Sequence, residues 1–203
     1  MQRPSFAPHN VDTWFQSDYQ FHQLYPAPMQ ALARRHWTPL TVVQKASRFL
    51  AAEPGARILD IGCGIGKFCL GAAYFKPDAL YYGIEQRRDL VGYAETARDE
   101  LGFENVSFLH GNFTQLDLRD YDHFYFYNSF HENLETTARI DDSIAYSGEL
   151  YNYYSRYLFR QLDQLPAGAR LATFHSMENE IPPDFHVVGT EMSNLLKFWI
   201  KTD

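Results

Sequence analysis

Apolar and polar positions along the chain fall into two alternating rhythms. Leu40, Val43, Ala46 and Leu50 recur at helical spacing behind Thr38 and Pro39, which read as a cap and a first-turn proline. "EPGA" at 53–56 ends that helix. From Arg57 onward short apolar runs take over: "RILDI", "LYYGIE", "NVSFLH", "HFYFYN" and "ARLATFH" each read as a strand. Between them lie helical patterns over 67–75, over Leu90, Tyr93 or Ala94, Ala97 and Leu101, and over Leu150, Tyr154, Tyr157 or Leu158, Gln161 and Leu165. "PAG" at 166–168 breaks the last helix, and the tail "FHVVGT" then "NLLKFWIK" reads as two strands joined by a link short enough to force antiparallel pairing.

Strands alternating with helices predict an α/β fold whose mostly parallel sheet is covered on both faces. Ligands of such sheets bind at the carboxyl ends of the strands, beside the point where strand order reverses. The first 35 or so residues break the rhythm, being rich in Pro, Gln, His and aromatics. They predict an irregular or short-helical arm, so the chain divides into an arm and helix over 1–52 and a core over 53–203, with the arm packed on the core or capping it.

Composition narrows the class. The chain is 45% hydrophobic and 16% aromatic, enough for a substantial core in 203 residues. Two cysteines, Cys63 and Cys69, make neither a disulfide framework nor a zinc signature and suit a reducing cytoplasm. "MQRPSFAPHN" has no apolar signal-peptide core, and no apolar run approaches the ~18 residues of a membrane span. Lys and Arg number 18 against 25 Asp and Glu, a net charge of −7, so nucleic acid is an unexpected partner unless a local basic patch exists.

The chemistry concentrates in "LDIGCGIGKFCL" at 59–70, where Gly62, Gly64 and Gly66 turn a strand sharply into a helix. Free amides at such a helix start favour an anion, either a pyrophosphate or a carboxylate. A dinucleotide fingerprint requires Gly-x-Gly-x-x-Gly, but here the third glycine comes one residue early and Lys67 follows it. A phosphate-binding P-loop is missing its Gly-Lys-Ser/Thr. Glu85 ends the second strand, where a carboxylate accepts from both hydroxyls of an adenosine ribose. Asp60 carries a second carboxylate into the same crevice.

With the order of elements from about Ala56 onward, "LDIGCGIG" and "YYGIE" resemble the first two motifs of the class I S-adenosylmethionine-dependent methyltransferases. The resemblance implies a three-layer Rossmann-like fold with a seven-stranded sheet and an antiparallel last strand. It also implies S-adenosyl-L-methionine as cofactor. The methionine carboxylate would meet the amides around Gly62, Gly64 and Gly66, the ammonium would lie towards Asp60, and Glu85, followed by Gln86, would hold the ribose. "HGNF" at 110–113 aligns with the adenine loop, with Asn112 standing where the family often has Asp and accepting through its carbonyl oxygen, and Phe113 against the ring.

Past the fourth strand, "FYFYNSFHENL" is similar to the Asn-Pro-Pro-Tyr-like motif of amine-directed methyltransferases. Ser129 replaces its first proline, and Phe130 arrives one position early. The expected catalytic set is therefore Asn128, Ser129, Phe130 and His131, acting on an amine nitrogen of a small molecule or protein side chain. His131 or His175 as a general base would serve an O-acceptor instead, and a catalytically silent cofactor-binding subunit is a third reading. Five tyrosines within 146–157 read as the packed face of a helix or as a pocket wall.

Overall fold

The first strand, β1 (Arg57–Ile61), lies at the centre of the sheet and pairs in parallel on both sides, with β2 (Leu80–Glu85) and with β4 (His123–Phe126). Beyond β2 lies β3 (Val106–His110), and beyond β4 lies β5 (Arg170–Phe174), both parallel to their neighbours. Strand β7 (Leu196–Lys201) runs antiparallel between β5 and β6 (Phe185–Glu191), completing the seven-stranded order β3-β2-β1-β4-β5-β7-β6. This computed structural model describes residues 11–134 and 139–202. The first ten residues of the arm lie outside the described part.

All four residues of β4 and four of the five in β1 are buried, as a strand covered on both faces requires. Alternate side chains go to opposite layers. Ile58, Tyr125 and Ala172 join one cluster with α4 (Leu40–Leu50), α5 (Lys67–Phe75) and α6 (Arg88–Leu101). Leu59, Phe124, Phe126 and Leu171 join the other with α7 (Gly148–Asp163). Phe68 of α5 stacks on Tyr125 with centroids 3.8 Å apart, tying a helix to the central strand pair. The strands reverse order between β1 and β4, and the crevice outside their carboxyl ends holds the site.

The arm folds into three short helices, α1 (Asp18–His22), α2 (Ala27–Gln30) and α3 (Ala33–His36). Phe15, Phe21, Tyr25 and Trp37 are buried in the same cluster as α4 and α5, so arm and core share apolar packing. The Tyr25 hydroxyl donates to the Ile65 carbonyl at 2.9 Å, inside the glycine turn.

One expected cap differs. Thr38 does not cap α4; its buried hydroxyl bonds the Tyr125 hydroxyl at 3.1 Å, because Thr38 lies inside the core. The Leu40 amide donates instead to Asp18 Oδ1 at 3.0 Å, a cap reached across 22 positions. The same oxygen takes Lys67 Nζ at 2.5 Å, and Lys67 is 3% exposed. Burial lowers the Lys67 pKa, and the bond that Lys67 donates to Asp18 opposes that shift. Asp18→Ala is therefore expected to lower stability by about 1–3 kcal/mol, an uncapped helix plus a buried cation left to His22. Thermal melts at neutral pH check this, and an unchanged melting temperature would refute it.

Candidate functional site

Every glycine of the turn has positive φ: 78° at Gly62, 53° at Gly64 and 80° at Gly66. A Cβ on Gly62 would lie 2.5 Å from the Ser129 hydroxyl, and one on Gly66 2.4 Å from the Phe108 ring. At Gly64 a Cβ would meet nothing within 4 Å. Gly62 and Gly66 thus serve close packing, whereas Gly64 leaves an open cradle on a cavity of about 420 Å³. The Gly62 and Cys63 amides donate to the Ile84 carbonyl and the Gly66 amide to the Cys63 carbonyl. Donors for an anion are left to the Ile65 amide and to the first turn of α5, whose amides have no intrahelical acceptor; Ile65, Lys67 and Phe68 line the cavity.

Two carboxylates border the same space. Glu85 is 6% exposed and held on both oxygens, by the Gly64 amide at 3.2 Å and the Arg87 amide at 2.9 Å. Gln86 lines the cavity beside it. Asp60 is buried, with Cys69 Sγ at 3.9 Å. Burial, and then the charge of Glu85, push the Asp60 pKa well above the usual carboxylate range.

The sign of that shift gives a testable linkage. A carboxyl whose pKa is raised in the folded protein holds more protons than in the unfolded chain, so its contribution to stability declines as pH rises above the usual carboxylate value. A cationic group placed beside Asp60 favours the carboxylate, so its binding expels the proton and tightens as pH rises through the same window. Calorimetric titration with the cofactor in phosphate and in Tris is expected to give different heats, and Asp60→Asn to remove the difference. Equal heats for the wild-type protein would refute proton release.

Arg87 is a part of the site that the sequence reading did not single out. It is 7% exposed and bonds Glu85 at 3.3 Å, Glu132 at 2.5 Å, Asp141 at 3.2 Å and the Tyr146 hydroxyl at 2.5 Å. Burial disfavours its cation, but Glu132 and Glu85 outweigh this and raise its pKa. The guanidinium therefore ties the end of β2 to residues that follow β4. The only signal in the sequence was an arginine two positions after Glu85.

The remaining expected residues divide by what their side chains touch. Phe113 is buried on the cavity wall, stacked against Phe130 with centroids 5.1 Å apart. Asn112 does not line the cavity. Its carbonyl oxygen caps a short helix through the Thr114 amide at 3.0 Å, and its Nδ2 donates to Gln86 and the Tyr154 hydroxyl. The oxygen assigned to adenine is thus committed locally, as an N-cap asparagine requires.

Asn128 lines the cavity in a left-handed conformation with φ 41°. Its carbonyl accepts from the His131 amide at 3.0 Å, so the chain turns there and directs the stretch after β4 back over the site. The Ser129 hydroxyl donates to the Ile61 carbonyl at 2.6 Å, bracing β4 against β1. Phe130 is buried among Phe113, Phe126 and Tyr154, and His131 lines the cavity. His175 lies apart, in a second cavity of about 510 Å³ also lined by Arg34 and Lys67. The five tyrosines do not form one face: Tyr146 precedes α7 and holds Arg87, Tyr151 and Tyr154 are buried, and Tyr153 is exposed.

A doubly wound sheet with a reversed last strand, a glycine turn after β1 and an acid ending β2 define a nucleoside-binding α/β domain. The residues fit S-adenosyl-L-methionine: an open cradle at Gly64, buried carboxylates for a cationic amino acid and ribose, and an aromatic wall at Phe113. Residues 52–140 match the family described as a methyltransferase domain. Residues 52–140 thus carry a class I S-adenosylmethionine-dependent methyltransferase domain, whose cofactor is S-adenosyl-L-methionine.

Over 54 residues it is 50% identical to a tRNA (guanine-N(7)-)-methyltransferase of Synechococcus sp. (strain JA-3-3Ab), covering 27% of this chain and 23% of that relative. Over 72 residues it is 39% identical to a 23S rRNA (uracil(1939)-C(5))-methyltransferase of Shewanella sp. (strain ANA-3), covering 36% and 16%. The match spans about a quarter or less of the length of these curated relatives. In fold the chain is similar to TrmN from Thermus thermophilus, with TM-score 0.57, 21% identity and coverage of 83% and 50%. An RNA methyltransferase from Salinibacter ruber in complex with S-adenosyl-L-homocysteine gives TM-score 0.57 and 21% identity, with coverage of 82% and 94%. These relatives overturn the expectation that nucleic acid is unlikely as a partner. Net charge sums the whole surface, whereas an acceptor meets only the rim of the site. No helix among the described residues is long and apolar enough to cross a membrane.

Proposed function

We propose that this protein transfers a methyl group from S-adenosyl-L-methionine to a nitrogen of a nucleobase in RNA. The observation that carries the reading is Asn128, set by its left-handed turn on the wall of the cavity that Asp60, Gly64 and Glu85 border. The names of the tRNA and rRNA methyltransferase relatives support a nucleic-acid acceptor. The cofactor, when bound, supplies an electrophilic methyl on a sulfonium. Asp60 and Glu85 would hold its cationic and ribose portions, and the first turn of α5 its carboxylate. Asn128 would accept from or donate to the base edge and align the nitrogen, while Tyr127 and His36 give the cavity aromatic walls suited to a flat base. An unprotonated ring nitrogen carries an available lone pair, so at such a nitrogen the sulfonium–methyl bond breaks as the nitrogen–methyl bond forms, and the step rests on alignment rather than on deprotonation.

The test is transfer of labelled methyl from the cofactor into total tRNA and total rRNA, with protein and small-molecule fractions counted alongside. Label confined to either of the latter fractions would overturn the RNA assignment, and cofactor binding without transfer to any fraction would overturn the catalytic one. Asn128→Ala is expected to lower turnover by about tenfold or more with cofactor affinity unchanged. Equal loss of both would make Asn128 a residue of the turn alone.

A further inference from the structure

The run "ARRHW" at 33–37 brings positive charge to the rim of an acidic protein's site. Arg35 and His36 line the cofactor cavity, and Arg34 lines the second cavity. The two cavities adjoin, since both are lined by Trp37, Lys67 and Tyr127. Arg34 and Arg35 are exposed, and Arg34 has no ion-pair partner among the described residues. Among the described residues, the acids lining the same space are buried or paired: Asp60 and Glu85 are buried, Glu132 pairs with Arg87, and Asp18 with Lys67. The exposed charge that the described residues bring to the rim is therefore positive, although the chain carries −7 overall.

We infer that Arg34 and Arg35 form the phosphate-contacting rim of an RNA acceptor site, seating the strand so that its target base enters between the arm and the end of β4. The inference rests on the RNA reading above and extends it to the arm. Two adjacent guanidinium groups suit phosphate oxygens through paired N–H donors. The arm itself is held in place for this task. The Tyr127 hydroxyl donates to the Arg35 carbonyl at 3.2 Å, and Tyr127 is the residue just before Asn128. The strand-positioning residues and the base-aligning residue are thus linked through one side chain.

The experiment compares wild-type protein, R34E/R35E and a charge-matched control, K45E/R48E, whose positions on α4 line neither cavity. Binding to unmodified total tRNA is measured by fluorescence anisotropy over a salt series, with methyl transfer to the same RNA. R34E/R35E is expected to bind at least about tenfold more weakly, with a salt slope smaller by about one per phosphate contact removed. The control is expected to keep wild-type affinity and slope.

Equal loss in both variants would show a general charge effect and overturn the rim. Unchanged binding and transfer in R34E/R35E, with active wild-type protein, would overturn the rim while the RNA reading stands. Wild-type protein that neither binds nor methylates RNA would overturn both, and label in another fraction would name the other acceptor. Circular dichroism checks folding, and R34Q/R35Q replaces the charge reversal if that variant unfolds.

Discussion

Glu85→Ala is expected to weaken binding of S-adenosyl-L-methionine by roughly a hundredfold or more, read by isothermal titration calorimetry. The carboxylate is buried and oriented before any ligand arrives, by the Gly64 and Arg87 amides on its two oxygens. Two hydrogen bonds from ribose hydroxyls to a charged acceptor are together worth about 3–4 kcal/mol, which sets that scale. Removal also strips Arg87 of one neutralising partner, so Glu85→Gln is the more informative variant. It keeps the shape and an acceptor oxygen and is expected to fall between wild type and alanine. Alanine binding as tightly as wild type would dismiss the ribose role of Glu85.

The second large effect separates two glycines of one turn. Gly66→Ala is expected to cost about 3 kcal/mol or more in stability, since the new Cβ meets the Phe108 ring at 2.4 Å in a backbone with φ 80°. Phe108 belongs to the buried cluster beneath α5 and α6 and has little room to withdraw. Gly64→Ala carries only the left-handed strain, about 1–2 kcal/mol, because its Cβ would enter open space. That space is the cradle, so Gly64→Ala is expected to lose cofactor affinity while remaining folded. Denaturant unfolding and cofactor titration of the pair check the contrast. Similar stability losses at the two positions would refute it.

The sheet and its coverings were legible because hydrophobic periodicity is a local property. β1, β2 and β4 announce themselves as short apolar runs, and "LDIGCGIG" places the turn at the end of β1. Less legible were contacts made across long stretches of chain. Asp18 capping α4, Tyr25 reaching the glycine turn and Ser129 bracing Ile61 depend on which elements the fold brings together. Asn112 shows a different limit. Its place in the adenine loop could be aligned, but whether its oxygen faces the cavity or a neighbouring amide is decided by a short capped helix at 113–115. Whole-chain charge misled about nucleic acid for a related reason, since composition says nothing about where charges lie.

Asp18 also sets where this polypeptide can be cut. A fragment opening at Thr38 would contain every strand and all the glycines of the cofactor turn. It would nonetheless begin its first helix with an amide whose acceptor is gone, and Ile65 would lose the hydroxyl that Tyr25 supplies to its carbonyl. Lys67 would lose its carboxylate partner as well. Expression boundaries drawn by motif alone would therefore strip the cofactor turn and the first core helix of contacts that stabilise them. A boundary upstream of Ser17, whose own hydroxyl caps α1 through the Gln20 amide, retains the whole chain of caps.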